Sequence, residues 1–245
     1  MESIVPFSTE NAYLATEFVM KEPYKNTRLL SLLEKFSKYS RIIYDNRVIR
    51  GILAVDSYQE EMWFYGNRKA FKLVIENTEI NNKSILYIDS KNLDIVQSKF
   101  QFKYSKVSVM RLKIRDYPGG TGNSGKMEGD ELQNYKETYG GPGEYKELFI
   151  KRNAGKIESS VKVLSCNIKT CSIGCLSYKE GMEEDIYNII SLIVNEYKSQ
   201  SENIIIYLPY NETLKNGLME LGFTYTGELL KLYDIQDLNK AISDK

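Results

Sequence analysis

Apolar and polar positions along the chain fall into two series that follow the same order. Near the start, Leu29, Leu30, Leu32, Leu33 and Phe36 make a wide apolar stripe, and the stretch up to about residue 35 is predicted helical. Arg41–Tyr44 and Val48–Val55 are strand-like and separated by Asp45-Asn46-Arg47, a hairpin signal. Glu61–Tyr65 is a third strand and carries the only tryptophan. Asn67 stands where it can cap a helix whose apolar face is Ala70, Phe71, Val74 and Ile75. A buried strand at Ser84–Ile88, a short helix at Asn92–Lys99 and a strand at Tyr104–Ile114 complete the first series.

The second series opens with a hairpin, Leu148–Arg152 and Ser160–Leu164, turning at Asn153-Ala154-Gly155. A strand at Thr170–Ser177 and a helix at Met182–Lys198 follow, then strand Ile204–Leu208, helix Glu212–Leu221 and strand Gly227–Tyr233. A shift of 121 positions lays Ile85 on Ile206, Leu93 on Leu214, Phe102 on Phe223 and Tyr104 on Tyr225. The expected fold is α/β (α+β), with two mixed-sheet halves and flanking helices. The halves are residues 1–116 and 146–245, with a linker at 117–145 that holds half of the glycines and a short helical piece at Asp130–Thr138.

The chain of 245 residues carries 33 basic and 33 acidic side chains, which removes the electrostatic ground for nucleic-acid or anionic-membrane binding. No apolar run approaches the roughly 20 residues that span a bilayer. The first residues, MESIVPFSTE, lack the basic and apolar regions of a signal peptide, so a cytoplasmic location is expected. With no histidine, Ser-His-Asp and Cys-His nucleophile systems and most catalytic zinc sites are excluded. Proton transfer falls to Tyr, Glu, Asp, Lys, Cys or water, and no metal is expected. Cys166, Cys171 and Cys175 show no C-x-x-C spacing and read as core thiols.

One motif in the linker bears on chemistry. Gly120–Lys126 matches G-x-x-x-x-G-K, the pattern of a loop that surrounds phosphate with backbone N–H groups and a lysine. Position 127 is Met where Ser or Thr would hold magnesium, and Glu128, Asp130 and Glu131 follow at once. The segment reads as flexible linker, with nucleotide binding as the alternative.

The stretch Asn203–Tyr233, NIIIYLPYNETLKNGLMELGFTYTGELLKLY, gives strand, turn, helix, Leu-Gly-Phe and strand. It resembles the last third of the GNAT (general N-acetyltransferase) superfamily, and the repeated element order makes the resemblance a tandem one. The resemblance implies an acyl-CoA, acetyl-CoA in the simplest case, held between two splayed parallel strands. It implies that Cys175, Leu176 and Ser177 line the pantetheine arm, that Lys179, Gly181 and Met182 in the following turn face the pyrophosphate, and that Asn211 hydrogen-bonds the cofactor. Asn211 reads equally as an N-cap. Tyr178 is the candidate proton donor to the leaving thiolate, and Glu158 the candidate base.

Two parts of the site depart from the pattern. Met182, Glu183 and Asp185 stand where the superfamily has an arginine and glycines, and Leu218 stands where many relatives carry a tyrosine. Three readings follow: an N-acyltransferase acting on a small-molecule or peptide amine, a non-catalytic binding module of the same fold, and an unrelated nucleotide-binding protein. Neither nucleic acid nor membrane is an expected partner, and an exposed edge strand would permit a homodimer.

Overall fold

The computed structural model describes residues 2–35, 39–56, 61–119, 124–127, 146–154 and 156–237. It divides into two compact units. Unit 1 holds the chain up to Val107 together with the segment from Glu228 onward, and unit 2 is Ser108–Gly227.

Unit 1 contains β1 (Glu2–Pro6), α1 (Ala12–Val19), α2 (Thr27–Lys35), β2 (Arg41–Asp45), β3 (Val48–Asp56) and β4 (Glu61–Gly66). It continues through α3 (Arg68–Asn77), β5 (Ile85–Ile88), α4 (Leu93–Gln97) and the first part of β6 (Phe100–Lys113). Its sheet is completed by the later part of β12 (Thr224–Asp237), where Leu230 and Leu232 lie antiparallel to Ile88 and Leu86. Unit 2 takes the rest of β6, then β7 (Gly125–Met127), β8 (Glu147–Asn153), β9 (Lys156–Cys166), β10 (Thr170–Ser177) and α5 (Glu183–Tyr197). β11 (Asn203–Pro209), α6 (Glu212–Glu220) and the start of β12 finish it.

Strands run β1-β2-β3-β4-β5-β12-β6 in unit 1 and β6-β11-β10-β9-β8-β7 in unit 2. Antiparallel pairing joins β1 through β4 and β7 through β10. Parallel pairing joins β4 to β5 and β10 to β11. Apart from α1 and α2, which stand between β1 and β2, the order four strands, helix, strand, helix, strand occurs in each unit. The compact units divide at Val107 and Gly227. The halves read from the sequence divide at 116 and 146.

Local chemistry explains most of the elements. The β2–β3 turn places Asn46 and Arg47 at positive φ, the twist a short hairpin needs. Asn67 accepts from the Ala70 N–H at 2.9 Å and starts α3, which buries Ala70, Phe71, Val74 and Ile75. α5 buries Ile186, Ile189, Ile190, Ile193, Val194 and Tyr197 along one face. At Leu221-Gly222-Phe223 the Phe223 N–H reaches back to the Leu218 carbonyl at 3.0 Å, with Gly222 at φ 92°. This left-handed cap ends α6 and aims the chain into β12.

Two expectations change. The first residues form a strand, β1, whose Ile4 lies opposite Ile43 and packs on the unit 1 core; five residues ending in proline suit a sheet edge better than a helix. Gly125–Met127, expected as linker, is β7 on the edge of β8. The helix expected at Asp130–Thr138 and residue Phe36 lie outside the described residues. Among the described residues no helix is long and apolar enough to cross a membrane.

Unit 1 also buries an ion cluster. Arg28 on α2, 1% exposed, reaches Asp56 and Glu61 at 3.3 Å each, and Asp56 is fully buried. Removing one member of a buried set strands the others' charge. Arg28→Met is expected to lower the unfolding free energy by about 3–5 kcal/mol in urea titrations. Arg68→Ala, which removes an exposed pair with Asp94, is expected to leave the urea midpoint nearly unchanged.

Candidate functional site

In unit 2, β10 and β11 pair from Thr170↔Asn203 to Ile173↔Ile206. β10 runs on to Ser177 and β11 to Pro209, yet no further residues match. On its other side, β10 slips register with β9 between Ser172 and Ile173 and again between Gly174 and Ser177. Bulges of this kind bend a strand, and β10 leaves β11 where they occur. Among the described residues, the edge of Gly174–Ser177 that would meet β11 has no strand partner there.

Tyr178 and Asn211 follow the two parted strands and meet. The Asn211 side-chain N–H donates to the Tyr178 hydroxyl oxygen at 2.8 Å. Its carbonyl oxygen accepts from the Leu214 N–H at 2.8 Å and caps α6. The cap fixes which end of the amide faces the phenol, so the phenol's own proton stays available for another acceptor. Burial raises the Tyr178 pKa above its ordinary value, the Glu183 charge adds to this, and the Asn211 bond opposes it. The phenol is therefore protonated at neutral pH.

The turn behind Tyr178 carries the other expected residues. Lys179 pairs with Glu158 of β9 at 3.3 Å, and the Glu158 side chain is mostly buried. Gly181 has φ 85°, with no atom within 4 Å of where a Cβ would sit. Met182 is the N-cap of α5 but supplies no side-chain cap. Glu183, Glu184 and Asp185 occupy the first turn, and Asp185 accepts from the Ser159 hydroxyl at 3.1 Å. Leu176 packs half-buried against the unit 2 core. Cys175 and Ser177 lie on the parted end of β10. The structure thus brings Tyr178 to Asn211 and Lys179 to Glu158 at one end of the parallel pair. Leu218 is fully buried core.

Sequence reasoning missed Tyr187. Its hydroxyl donates to the Thr213 carbonyl at 3.2 Å, tying α5 to α6, and its ring lies against Gly217. Burial raises its pKa, with Glu183 and Glu184 adding to the shift. Its place one helical turn after Glu183 was the available signal.

Unit 1 has a corresponding parallel pair. β4 and β5 pair from Glu61↔Ile85 to Trp63↔Tyr87 and then stop. At that last register the Trp63 and Tyr87 rings stack, with centroids 4.0 Å apart and planes 11° apart. In the turn before α3, Arg68 is held by both oxygens of Asp94, and Lys69 pairs with Glu2 and Asp45.

The remaining motifs resolve differently from expectation. Lys126, the lysine of the G-x-x-x-x-G-K match, sits on β7 and pairs with Glu147 at 3.1 Å and Glu196 at 3.6 Å. A strand lysine held by two carboxylates does not fit a phosphate loop, and most of that loop lies outside the described residues. Cys166 and Cys171 are directly opposed on β9 and β10. The Cys171 thiol bonding to it, helped by Ser201 at 3.1 Å, lowers the Cys166 pKa to about 6, against the expectation of an ordinary core thiol. Among the described residues no group of three or more His, Cys, Asp or Glu is placed to hold a metal.

No family model matches the sequence, and no curated protein matches it. Solved structures do match the fold. A GCN5-related N-acetyltransferase from Sphaerobacter thermophilus is similar at TM-score 0.59 and 7% identity, over 96% of this chain and 95% of that one. A GCN5-related N-acetyltransferase-like protein from Streptococcus suis is similar at TM-score 0.60 and 11% identity, over 91% and 98%. A Drosophila protein is similar at TM-score 0.61 and 12% identity, over 96% and 99%. At such identities the likeness concerns the fold: this chain has a GNAT fold, a mixed α/β architecture in which the element order occurs twice.

The lowered Cys166 pKa has a readable sign. A thiol whose pKa falls from 9.0 to about 6 is mostly thiolate at neutral pH. Iodoacetamide labelling at Cys166, followed by peptide mass mapping, is expected to have its rate midpoint near pH 6. A midpoint at the ordinary thiol value would show that the Cys171 and Ser201 contacts do not hold the thiolate.

Proposed function

We propose that the protein is an acyl-CoA-dependent N-acyltransferase working at the parted ends of β10 and β11. The acceptor is a small-molecule or peptide amine, and the acyl group is acetyl in the simplest case. The observation that carries this reading is the Tyr178–Asn211 hydrogen bond, which holds a protonated phenol where the two strands separate.

The residues fit the arm of the cofactor better than its phosphates. The unpaired edge of Gly174–Ser177 suits the amides of a pantetheine chain. Gly181, open and left-handed, leaves room for an anion beside the turn before α5, although the Met182 N–H is spent on the Lys179 carbonyl at 3.0 Å. Glu183, Glu184 and Asp185 oppose a diphosphate there. Acyl-CoA, when bound, supplies an activated thioester.

Each protein group then has one task. Glu158, oriented by Lys179, takes a proton from the acceptor nitrogen directly or through a water as that nitrogen bonds to the carbonyl carbon. Tyr178 gives its proton to the sulfur as the carbon–sulfur bond breaks, and solvent returns the Glu158 proton to the phenol. Strand N–H groups at the parted edge polarise the carbonyl. The three acids and the buried Leu218 favour a second reading, a binding module that keeps this fold without the chemistry.

Calorimetry with acetyl-CoA separates the two readings. Glu183→Gln with Glu184→Gln is expected to tighten binding roughly 3- to 30-fold, from about 0.3–1 kcal/mol for each removed charge. Silence from both the natural protein and this variant at millimolar acetyl-CoA would leave only the binding module.

Tyr178→Phe is expected to bind acetyl-CoA within about twofold of the natural protein while turnover falls about 10²–10⁴-fold. Unchanged turnover would remove Tyr178 from the mechanism.

A further inference from the structure

A second feature of unit 2 lies at the other end of the parallel pair. Arg111 and Lys113 stand two positions apart on β6, the spacing that puts side chains on one face of an extended chain, and Arg115 follows in the 3-10 turn Ile114–Asp116. Leu112 is fully buried in the unit 2 core and fixes which face that is. Arg111, Lys113 and Arg115 line a cavity of about 650 Å³, together with Lys198 at the end of α5 and Glu202 and Asn203 at the start of β11. That volume is in the range of small-ligand sites. β11 rises about 3.3 Å per residue from Asn203 to Pro209, so the cavity and the Tyr178 end lie roughly 20 Å apart.

The wall is built rather than incidental. Asn203 is 3% exposed, and its side-chain oxygen accepts from Arg111 Nε at 2.8 Å. Its side-chain nitrogen donates to the Lys169 carbonyl at 2.8 Å. With both ends of the amide committed, Arg111 is held in one orientation, the arrangement that suits guanidinium recognition of an oxyanion. Ser201, also buried, closes the same wall.

Charge decides the class of ligand. Four cations face one carboxylate, Glu202, and Arg115 is shared with exposed Asp116 at 3.5 Å. Among the described residues Lys113 and Lys198 enter no ion pair. Arg111 and Lys113, strand neighbours two positions apart, sit about 6.6 Å from one another, so with Arg115 and Lys198 beside them they engage two phosphate groups more readily than one. We propose that this cavity binds a small molecule carrying two phosphate groups, independently of the acyltransferase reading.

The test is calorimetry on the full chain at low salt with two probes, inorganic pyrophosphate and citrate, the second a carboxylate polyanion. Pyrophosphate is expected to bind with a sub-millimolar dissociation constant, and citrate about tenfold more weakly. The double variant Lys113→Glu, Lys198→Glu is expected to lose pyrophosphate binding by at least about tenfold while binding acetyl-CoA as the natural protein does. If that variant melts early, Lys113→Gln with Lys198→Gln carries the same comparison. Silence from pyrophosphate at millimolar concentration, equal binding by the charge variants, or citrate binding as tightly would each overturn the proposal.

Discussion

Two parallel strands that pair over four residues and then separate set the geometry of unit 2. The paired stretch is anchored by side chains with no exposure, Ile173 against Ile206 and Cys171 against Ile204. A one-residue slip would turn each of these out of the core, so the register is fixed. The separation is fixed with it, because the bulges on the β9 side bend β10 at defined positions. Tyr178, Lys179 and the start of α5 follow from where β10 ends, and Asn211 follows from where β11 ends. A rigid core thus places groups that have no sequence proximity.

The two units show how one architecture accommodates opposite fates of the same gap. In unit 1 the last register before the pairing ends is Trp63 and Tyr87, whose rings stack on one another. The cations of the following turn are bound to carboxylates of their own unit. In unit 2 that point is taken by Ile173 and Ile206, and the groups beyond it are a phenol, an amide and a lysine–glutamate pair. The aliphatic pair packs into the core and leaves the polar groups at the mouth. At the gap the asymmetry between the units therefore resides in a few side chains, while elsewhere unit 1 adds α1 and α2 between its first two strands.

What the sequence discloses is what short-range chemistry determines. Asn67 and Asn211 bond to N–H groups three residues on, and Leu221-Gly222-Phe223 closes its own helix, so each is readable from a handful of positions. The β2–β3 hairpin is readable for the same reason. Long-range pairings are not. Cys166 meets Cys171 only through the β9–β10 register, which no spacing rule fixes. Arg28 is buried among apolar neighbours because Asp56 and Glu61 reach it from strands. Arg68 reads as an exposed cation until α4 brings Asp94 beside it. The parted strands themselves leave no mark in composition, since Gly174–Ser177 looks like any strand end.

The start of α5 carries the last argument. A helix N-terminus presents unpaired N–H groups and the positive end of a dipole, and these can be met by a bound anion or by the chain's own acids. Here Glu183, Glu184 and Asp185 meet the dipole, and the Ser159 hydroxyl holds Asp185 in place from β9. An acyl-CoA diphosphate at this position would compete with charges already stabilising the helix. Under the acyltransferase reading, affinity must then come from the pantetheine arm along Gly174–Ser177, where the unpaired backbone lies. Recognition weighted toward the arm depends less on ionic strength than recognition through phosphates, since backbone amide contacts are not screened as charge pairs are. The acidic turn and the parted strands are thus coupled parts of one site.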